Sequence, residues 1–531
     1  MNNLKISQVY IGKPDAKDEL IFADKAAEDL FLKTFYKPDY IDVDDFISGR
    51  RFYVYGLKGT GKTALLRYID LNVRRKDNLA EFVLFKSKIS EEQREEFASQ
   101  EGAFSVTDDN TGNIFDQDFE NIWRWYFHRV IADTIASNMS RFSSSSSDCA
   151  RYAKFVTEIS SESSGVSGLR RLIPKITKGE IEVSATPSAK LFLEWGANDS
   201  DKKKFKITDI LFKADELFKN ITMNSGSFYL FIDELEPKLA SKRQYERDAR
   251  LIRDLIVVIH QFNEMSHAAG RWLKIVAAVR SEVVHAVHTI DKEIEKLIQG
   301  FGRELNWTAS VSEEDVSHPL IKMICHKIMV SEQIQGVAVS GELRGIWDRY
   351  FSHNGNRLSP KYILHKTWFK PRDLVRLLNL CIDKAPNAWV FTNTIIDAVA
   401  KKYAKFSWRE IQAELAVKYQ DKKQIEAFPV ILTEFKAEFS YDEFVRHLNS
   451  LAKENTEVEM LSKAVKHGDI LRELYKLGAI GNRNRENNTM RFAFRDDSEI
   501  NLKSRIVIHQ ALLPEFNIPF NKDTYQANRR V

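Results

Sequence analysis

The chain has 531 residues, 43% of them hydrophobic and 29% charged, and a formal net charge of +4 at pH 7. This length predicts two to four domains, and the nearly balanced charge neither requires nor excludes a nucleic-acid partner, because only clustered charge would be informative. An uncharged apolar run of about 18 residues, as a membrane-spanning helix needs, does not occur in the sequence.

The first residues, MNNLKISQVYIGKPDAKDEL, lack the charged, apolar and small-residue order of a secretory leader. The three cysteines, Cys149, Cys325 and Cys381, are far apart and follow no metal-ligand spacing. These features predict a cytoplasmic protein in a reducing compartment, without a zinc site.

A glycine-rich stretch, GLKGTGKT, fits the phosphate-loop pattern GxxxxGK[ST]. Its glycines allow the backbone N–H groups to point at phosphate oxygens, while the lysine ammonium meets the β and γ oxygens and the threonine hydroxyl can bind Mg²⁺. The predicted nucleotide-binding residues are Gly56, Leu57, Lys58, Gly59, Thr60, Gly61, Lys62, Thr63 and Ala64, with Lys62 also assigned a catalytic role.

The neighbours of this loop have the expected periodicity. RFYVY before it is typical of a short strand, TALLRYIDLNVRR after it of a helix, and AEFVLFKSK of a second strand. A phosphate bound between strand and helix would lie at the helix N-terminus, where unpaired N–H groups favour an anion.

An insertion is predicted over residues 139–205, because about 165 residues separate the loop from the next motif. Before it, NIWRWYFHRVIADTIASNM predicts a helix with Trp123, Phe127, Ile131 and Ile135 in the core. Within it, five serines indicate a linker, GLRRLIPKITKGE is basic, and IEVSATPSAKLFLEW indicates a strand pair. A surface elaboration is favoured over an effector surface.

The next motif, SFYLFIDELEP, is an apolar run typical of a buried parallel strand and ends in two acids. At the carboxyl end of such a strand, Asp233 could hold Mg²⁺ directly or through water, with Thr63 as the second protein ligand. Glu234 could act as the general base for an attacking water. The two acids together favour hydrolysis over phosphoryl transfer to a second substrate.

Three arginines follow at the ends of predicted elements. Arg280 ends the strand WLKIVAAVR, Arg303 ends a helix that precedes the strand ELNWTAS, and Arg372 follows Pro371 at the start of the helix in TWFKPRDLVRLLNLC. Proline suits a first helical turn, and Leu374, Leu377 and Leu378 predict its buried stripe.

Further along, FTNTIIDAVAKKYAKFSWREIQAEL and FSYDEFVRHLNSL indicate helices. A helix ending near Gly478, followed by two strands around a polar turn, predicts a winged helix with Leu474, Leu477 and Ile480 inside. Four arginines could contact phosphates there, but three acids dilute the patch, so protein contacts are favoured over DNA. The arginines are Arg483, Arg485, Arg491 and Arg495, and the acids Glu486, Asp496 and Asp497.

The order of these motifs resembles that of AAA+ and STAND-type P-loop ATPases, near the Orc/Cdc6-like branch. The resemblance implies catalytic roles: Arg280 as sensor 1, Arg303 as an arginine finger for a neighbouring subunit, and Arg372 as sensor 2. Solvated side chains or a surface salt bridge remain alternatives for the first two, and Arg376 or a structural role for the third. ATP is favoured as the nucleotide by this resemblance and because no NKxD-like guanine reader is present.

The opening IGKPDAKDEL and the later IVIHQALLPEF further resemble bacterial P-loop ATPases often encoded in phage-defence islands. The predicted fold is α/β, with a P-loop parallel-sheet core, an inserted region, a helical lid and a C-terminal winged-helix-like domain. The predicted boundaries are an N-terminal segment over 1–45, the core over 46–310, the lid over 311–405 and the C-terminal domain over 406–531.

These features together predict an ATP- and Mg²⁺-dependent oligomeric switch in antiphage defence, acting with a protein effector and without a membrane. The alternative is a DNA-binding initiator or loader that uses its winged helix. A third hypothesis is a scaffold that sequesters a toxin or nuclease, with slow hydrolysis as a timer.

Overall fold

The computed structural model describes residues 3–85, 119–142, 147–159, 176–177, 180–184, 202–236, 242–281, 283–284, 294–308, 313–337, 341–353, 356–419, 421–484, 489–495 and 499–520. Most of the predicted serine linker and basic run lies outside these ranges, as do Arg485, Glu486, Asp496 and Asp497.

The first part of the chain contains α1 (Ala16–Leu20), α2 (Lys25–Thr34), α3 (Val43–Ile47), β1 (Tyr53–Gly56), α4 (Lys62–Arg75), β2 (Leu79–Leu84), α5 (Glu120–Ser137), α6 (Ser147–Ile159), β3 (Ile176–Thr177), β4 (Glu180–Ser184), β5 (Lys202–Lys206), α7 (Ile207–Phe218), β6 (Phe228–Leu235), α8 (Lys242–Ala268), β7 (Leu273–Arg280), α9 (Ile294–Phe301) and β8 (Gly302–Glu304).

The second part contains α10 (Pro319–Ile334), α11 (Leu343–Tyr350), β9 (Phe351–His353), β10 (Asn356–Arg357), α12 (Pro360–Leu364), α13 (Pro371–Lys384), β11 (Phe391–Thr392), α14 (Asn393–Lys418), α15 (Lys422–Leu432), β12 (Glu438–Phe439), α16 (Tyr441–Leu451), α17 (Thr456–Ala464), α18 (His467–Lys476), β13 (Ile480–Arg483), β14 (Met490–Arg491) and β15 (Arg505–Ile508).

The central sheet has five strands in the order β2-β6-β7-β1-β8, and all of its pairings are parallel. The two middle strands β6 and β7 are buried along almost their whole length, as expected for strands covered on both faces. The strands predicted before the glycine-rich loop and before the two acids are therefore confirmed. Since all strands run in one direction, the loops that follow them meet at one edge of the sheet.

The region between β2 and β6 contains a helical layer and a small sheet. Helix α5 is confirmed, and Trp123, Phe127, Ile131 and Ile135 are all buried in one apolar cluster. The strand pair predicted over residues 181–195 is found only in part: β4 pairs with β3 and with β5, both antiparallel, whereas residues 185–195 lie outside the described chain.

A helical domain follows the sheet. Pro371 occupies the first turn of α13, and Leu374, Leu377 and Leu378 face the core as predicted. The boundary predicted at residue 405 falls inside α14, a continuous helix of 26 residues. That helix is therefore shared by the two predicted domains.

The last part of the chain forms a four-stranded sheet in the order β12-β15-β13-β14. Helix α18 leads into the antiparallel pair β13 and β14, with Leu474 and Ile480 buried and Leu477 partly buried. The helix–strand–strand order predicted there is present. The stretch IVIHQALLPEF supplies β15, which lies between β12 and β13. Within the described residues, none of the helices has the length and apolarity needed to cross a bilayer.

Candidate functional site

A cavity of about 360 Å³ lies at the carboxyl edge of the parallel sheet. Five parts of the chain line it: the N-terminal segment before β1, the glycine-rich loop with the start of α4, the ends of β6 and β7, the segment after β8, and helices α10 and α13. Motifs that are far apart in the sequence therefore line the same cavity.

The glycine-rich loop folds as a tight turn between β1 and α4. Gly59 and Gly61 have φ angles of 84° and 96°, a left-handed conformation that favours glycine. A Cβ at Gly59 would lie 3.3 Å from the Cβ of Arg372. The indole of Trp307, which also lines the cavity, donates to the carbonyl of Thr60 at 2.8 Å and supports the turn. The glycines thus let the backbone curl and let a neighbouring helix approach.

Helix α4 starts directly at this turn. Its N-cap is Gly61, which has no side chain to satisfy the N–H groups of the first turn. The ammonium of Lys62, which is 9% exposed, donates to the carbonyls of Gly56 and Leu57 at 2.7 and 2.8 Å. A cation and a helix N-terminus therefore meet at one wall of the cavity, an arrangement suited to anions.

Asp233 faces Thr63 across the cavity floor. Its carboxylate is 5% exposed and accepts hydrogen bonds from the backbone N–H of Glu234 at 2.8 Å and from the hydroxyl of Thr63. Burial raises the pKa of Asp233, while these two bonds and nearby Lys62 oppose that rise. A carboxylate and a hydroxyl held together in this way are oxygen ligands of the kind that Mg²⁺ takes.

Glu234 adopts a left-handed backbone with φ of 61°, which is uncommon for a residue other than glycine. The register between β6 and β7 shifts between Ile232 and Leu235, so a bulge places this strain at the strand end. The side chain forms an ion pair with Lys17, with Oε1 2.9 Å from Nζ. The bulge thus turns a second carboxylate into the cavity beside the buried Asp233.

Arg280, at the tip of β7, also lines the cavity. It forms an ion pair with Glu236 and lies 3.8 Å from the carboxylate of Glu414 on α14. That carboxylate also accepts from Lys58 of the glycine-rich loop at 2.9 Å. One acid of the helical domain therefore contacts both the loop and the strand tip.

Arg372 lies directly over the glycine-rich loop. Its backbone N–H donates to the carbonyl of Gly59 at 3.3 Å, and its guanidinium reaches the carbonyl of Pro14 at 3.2 Å and Asp15 at 3.4 Å. The predicted position of this arginine beside the loop is therefore found. Its partner from the N-terminal segment was missed.

Arg303 differs in its local structure from the prediction. Helix α9 ends at Phe301, and Arg303 lies in the edge strand β8, opposite Val54 of β1. The strand β8 overlaps the predicted strand ELNWTAS only at Glu304, because its pairing with β1 involves Gly302–Glu304 and residues 305–308 are not in a strand. Arg303 is exposed and does not line the cavity.

The side of the cavity away from the acids is apolar and aromatic. Phe31, Phe35 and Tyr36 come from α2 and the segment after it, and Met323 and Val375 come from α10 and α13. A flat aromatic ligand group would find apolar area on both of these walls. None of the site residues predicted from the sequence lies within residues 1–45.

Two of the C-terminal arginines are engaged within the chain. Arg483 forms an ion pair with Glu438 at 2.5 Å, and Arg495 forms one with Glu313 at 2.7 Å and lies over the ring of Phe369. Arg491 is exposed. Because paired guanidinium groups are less available to phosphates, these contacts do not favour a DNA surface here.

Metal clusters of histidine, cysteine and acidic side chains are not found among the described residues. All three cysteines are buried free thiols.

The sequence signal for several cavity residues is weak. Lys17 and Glu414 are single charged residues in ordinary helical sequence, and Trp307 is one of nine tryptophans. Their contacts at the site join residues that are far apart in the sequence. Lys17 and Glu234 are 217 positions apart, Glu414 and Lys58 are 356 apart, and Trp307 and Thr60 are 247 apart. The stretch IGKPDAKDEL, singled out in the sequence for its resemblance to bacterial P-loop ATPases, contains Lys17.

The fold and the site together define a mixed α/β protein with a five-stranded parallel sheet, an edge cavity lined by a glycine-rich loop and acids, and a helical domain packed over it. Residues 319–412 match the family described as the FunZ-associated C-terminal helical domain. This match begins at α10, includes α13 and ends within α14, so it contributes Met323, Lys327, Arg372 and Val375 to the cavity. No curated protein matches the chain.

Proposed function

We propose that the cavity binds ATP with Mg²⁺ and hydrolyses it to ADP and phosphate, and that the chain acts as a nucleotide-dependent oligomeric switch. The observation that carries this proposal is the convergence of Lys62, Thr63 and Asp233 at one turn between strand and helix. An ammonium, a hydroxyl and a buried carboxylate in this order match the needs of a magnesium-bound triphosphate.

Each group has a role in the proposed reaction. Lys62 would exchange the carbonyl oxygens of Gly56 and Leu57 for phosphate oxygens. Thr63 and Asp233 would hold Mg²⁺, which when bound neutralises charge on the β and γ phosphates. Glu234 would take the proton of the attacking water, because it is the acid that the bulge turns into the cavity.

Nucleotide choice is tested by titrating the full-length protein with ATP, GTP and ADP in the presence of Mg²⁺, using calorimetry. The aromatic wall accepts any purine, so ATP preference rests on the resemblance of the motifs to AAA+ and STAND ATPases. Equal or tighter binding of GTP would contradict the ATP assignment. Absence of binding by all three would contradict the proposed function itself.

The oligomeric part of the proposal is supported by the exposure of Arg303 on an edge strand, outside its own cavity. A side chain at that position can contact a site on a neighbouring subunit while β8 stays paired with β1. An arginine supplied in trans stabilises charge in the transition state of phosphoryl transfer.

Arg303→Ala is expected to lower ATP turnover by about 10³-fold or more while leaving ATP affinity within about twofold, as for loss of an arginine finger. Turnover per subunit of the wild-type protein should rise with protein concentration. Mixing Arg303→Ala with Glu234→Gln should recover activity, because each subunit supplies the group that the other lacks. A variant that is slow at every concentration and is not rescued by mixing would contradict a role in trans.

The defence setting and the protein effector belong to the same proposal. They are supported by the resemblance of IGKPDAKDEL and IVIHQALLPEF to ATPases of phage-defence islands, with which the match of residues 319–412 is compatible. Phage plating on cells that carry the gene with its neighbours, in wild-type and Lys62→Ala forms, tests this setting. Equal plating on both would contradict it.

A further inference from the structure

The N-terminal motif KPDAKDEL lies over the cavity. Helix α1 packs against α4, and its N-cap Asp15 accepts from the backbone N–H of Lys17 at 3.0 Å. Lys13, Asp15, Lys17 and Glu19 all line the cavity. The proposed nucleotide hydrolysis assigns no role to these side chains.

Both ends of this motif are tied to the helical domain. Asp15 and the carbonyl of Pro14 bind the guanidinium of Arg372, which itself contacts the glycine-rich loop. At the other end, Glu19 accepts from the hydroxyl of Tyr10 and from the backbone N–H of Lys13 at 3.2 Å, close to the partly buried Lys327. The short helix α1 is thus held in one place over the cavity.

Lys17 is the residue of the motif that reaches the reacting end of the cavity. Its ammonium lies 2.9 Å from Oε1 of Glu234, and the two side chains are 30% and 19% exposed. An ammonium carries three donors, so Lys17 can contact the Glu234 carboxylate and a phosphate oxygen at the same time. The carboxylate of Glu234 that pairs with Lys17 lines the cavity.

We propose that Lys17 is the γ-phosphate sensor of this site: a cation supplied in cis that bridges the base Glu234 and the terminal phosphate of ATP. This inference rests on the proposed hydrolysis of ATP. Without nucleotide, Lys17 neutralises Glu234. With ATP bound, the Lys17 ammonium offsets the repulsion between the Glu234 carboxylate and the γ-phosphate. ADP has no γ-phosphate, so this contact is absent when ADP is bound.

Lys17 transfers no proton in this scheme. The attacking water gives its proton to Glu234, its oxygen bonds to the γ-phosphorus, and the bond from that phosphorus to the β-phosphate oxygen breaks to release ADP. Lys17 keeps its three protons and stabilises the negative charge on the transferred group.

The test compares Lys17→Met with wild type, because methionine keeps the apolar stem and removes the charge. The dissociation constants of the non-hydrolysable analogue AMP-PNP and of ADP are measured by calorimetry with Mg²⁺. The AMP-PNP constant is expected to rise about tenfold to a hundredfold, as for loss of a charged hydrogen bond, while the ADP constant stays within about twofold. Turnover at saturating ATP should also fall. Lys25→Met, at the exposed start of α2, is the matched control.

Several outcomes would overturn the assignment. A parallel loss of affinity for both nucleotides would show that Lys17 supports the cavity in general, and faster turnover in Lys17→Met would show that it inhibits the base. Unchanged dissociation constants and unchanged turnover in Lys17→Met would show that Lys17 has no role in nucleotide binding or hydrolysis. If wild type hydrolyses ATP and only the effect of Lys17→Met is missing, this inference alone fails; if wild type binds neither nucleotide, the proposed function fails with it.

Discussion

Lys62→Ala is expected to reduce ATP turnover to background and to weaken ATP binding by about 100-fold or more, the scale of losing one preorganised charge partner. Lys62 is the cation at the N-terminus of α4, and its ammonium is already held inside the cavity by two carbonyl oxygens. Alanine removes that charge where the β and γ phosphates are proposed to lie. The dipole of α4 alone stabilises a bound phosphate much less than the lysine charge does.

This result is checked by steady-state phosphate release and by calorimetric titration with ATP and Mg²⁺. Lys76→Ala is the matched control, because Lys76 is exposed at the opposite end of the same helix. Thermal unfolding of both variants should show a single transition close to that of wild type. A Lys62→Ala protein that is folded and turns over at the wild-type rate would contradict the assignment of the loop as a phosphate site.

Local sequence patterns predicted the central sheet and one side of the site. The apolar runs of β6 and β7, the glycine spacing and the two acids near the end of β6 depend on residues within a few positions of each other, and parallel pairing brings the strand ends to one edge. Pro371 marked the start of α13 for the same local reason. These features could be read from the chain because neighbouring residues determine them.

The other side of the site depends on contacts between distant segments. Lys17 reaches Glu234 and Glu414 reaches Lys58 because α1 and α14 dock on the core, and the docking depends on the packing of whole surfaces. Neither residue stands out from other charged residues on a helix surface. The predicted strand ELNWTAS is misplaced for a related reason, since pairing with β1 places the strand at Gly302–Glu304.

If the cavity binds ATP as proposed, the contacts of Glu414 would give the helical domain a way to respond to the nucleotide. Its carboxylate lies 2.9 Å from Lys58 and 3.8 Å from Arg280, two cations that line the cavity. A bound triphosphate competes for both cations, because it carries more negative charge than one carboxylate. Release of Glu414 would loosen α14 from the core, which is one physical route from nucleotide binding to a changed assembly.

Glu234→Gln is expected to lower ATP turnover by about 10² to 10⁴-fold, the usual contribution of a general base, while ATP affinity is kept or increased. The amide has nearly the shape of the carboxylate, so the bulge and the left-handed backbone can remain. It cannot accept the proton of the attacking water, and it no longer repels the γ-phosphate.

Single-turnover phosphate release and calorimetric binding of ATP, measured on the same preparation, check this split between turnover and affinity. Glu236→Gln is the comparison, because Glu236 lies two residues away and faces Arg280; its effect on turnover should be smaller. The double variant Lys17→Met with Glu234→Gln should bind AMP-PNP more weakly than Glu234→Gln alone, since it also loses the proposed contact of Lys17 with the γ-phosphate. Full turnover in Glu234→Gln would mean that another group activates the water, and the bulge that aims Glu234 into the cavity would then need a different explanation.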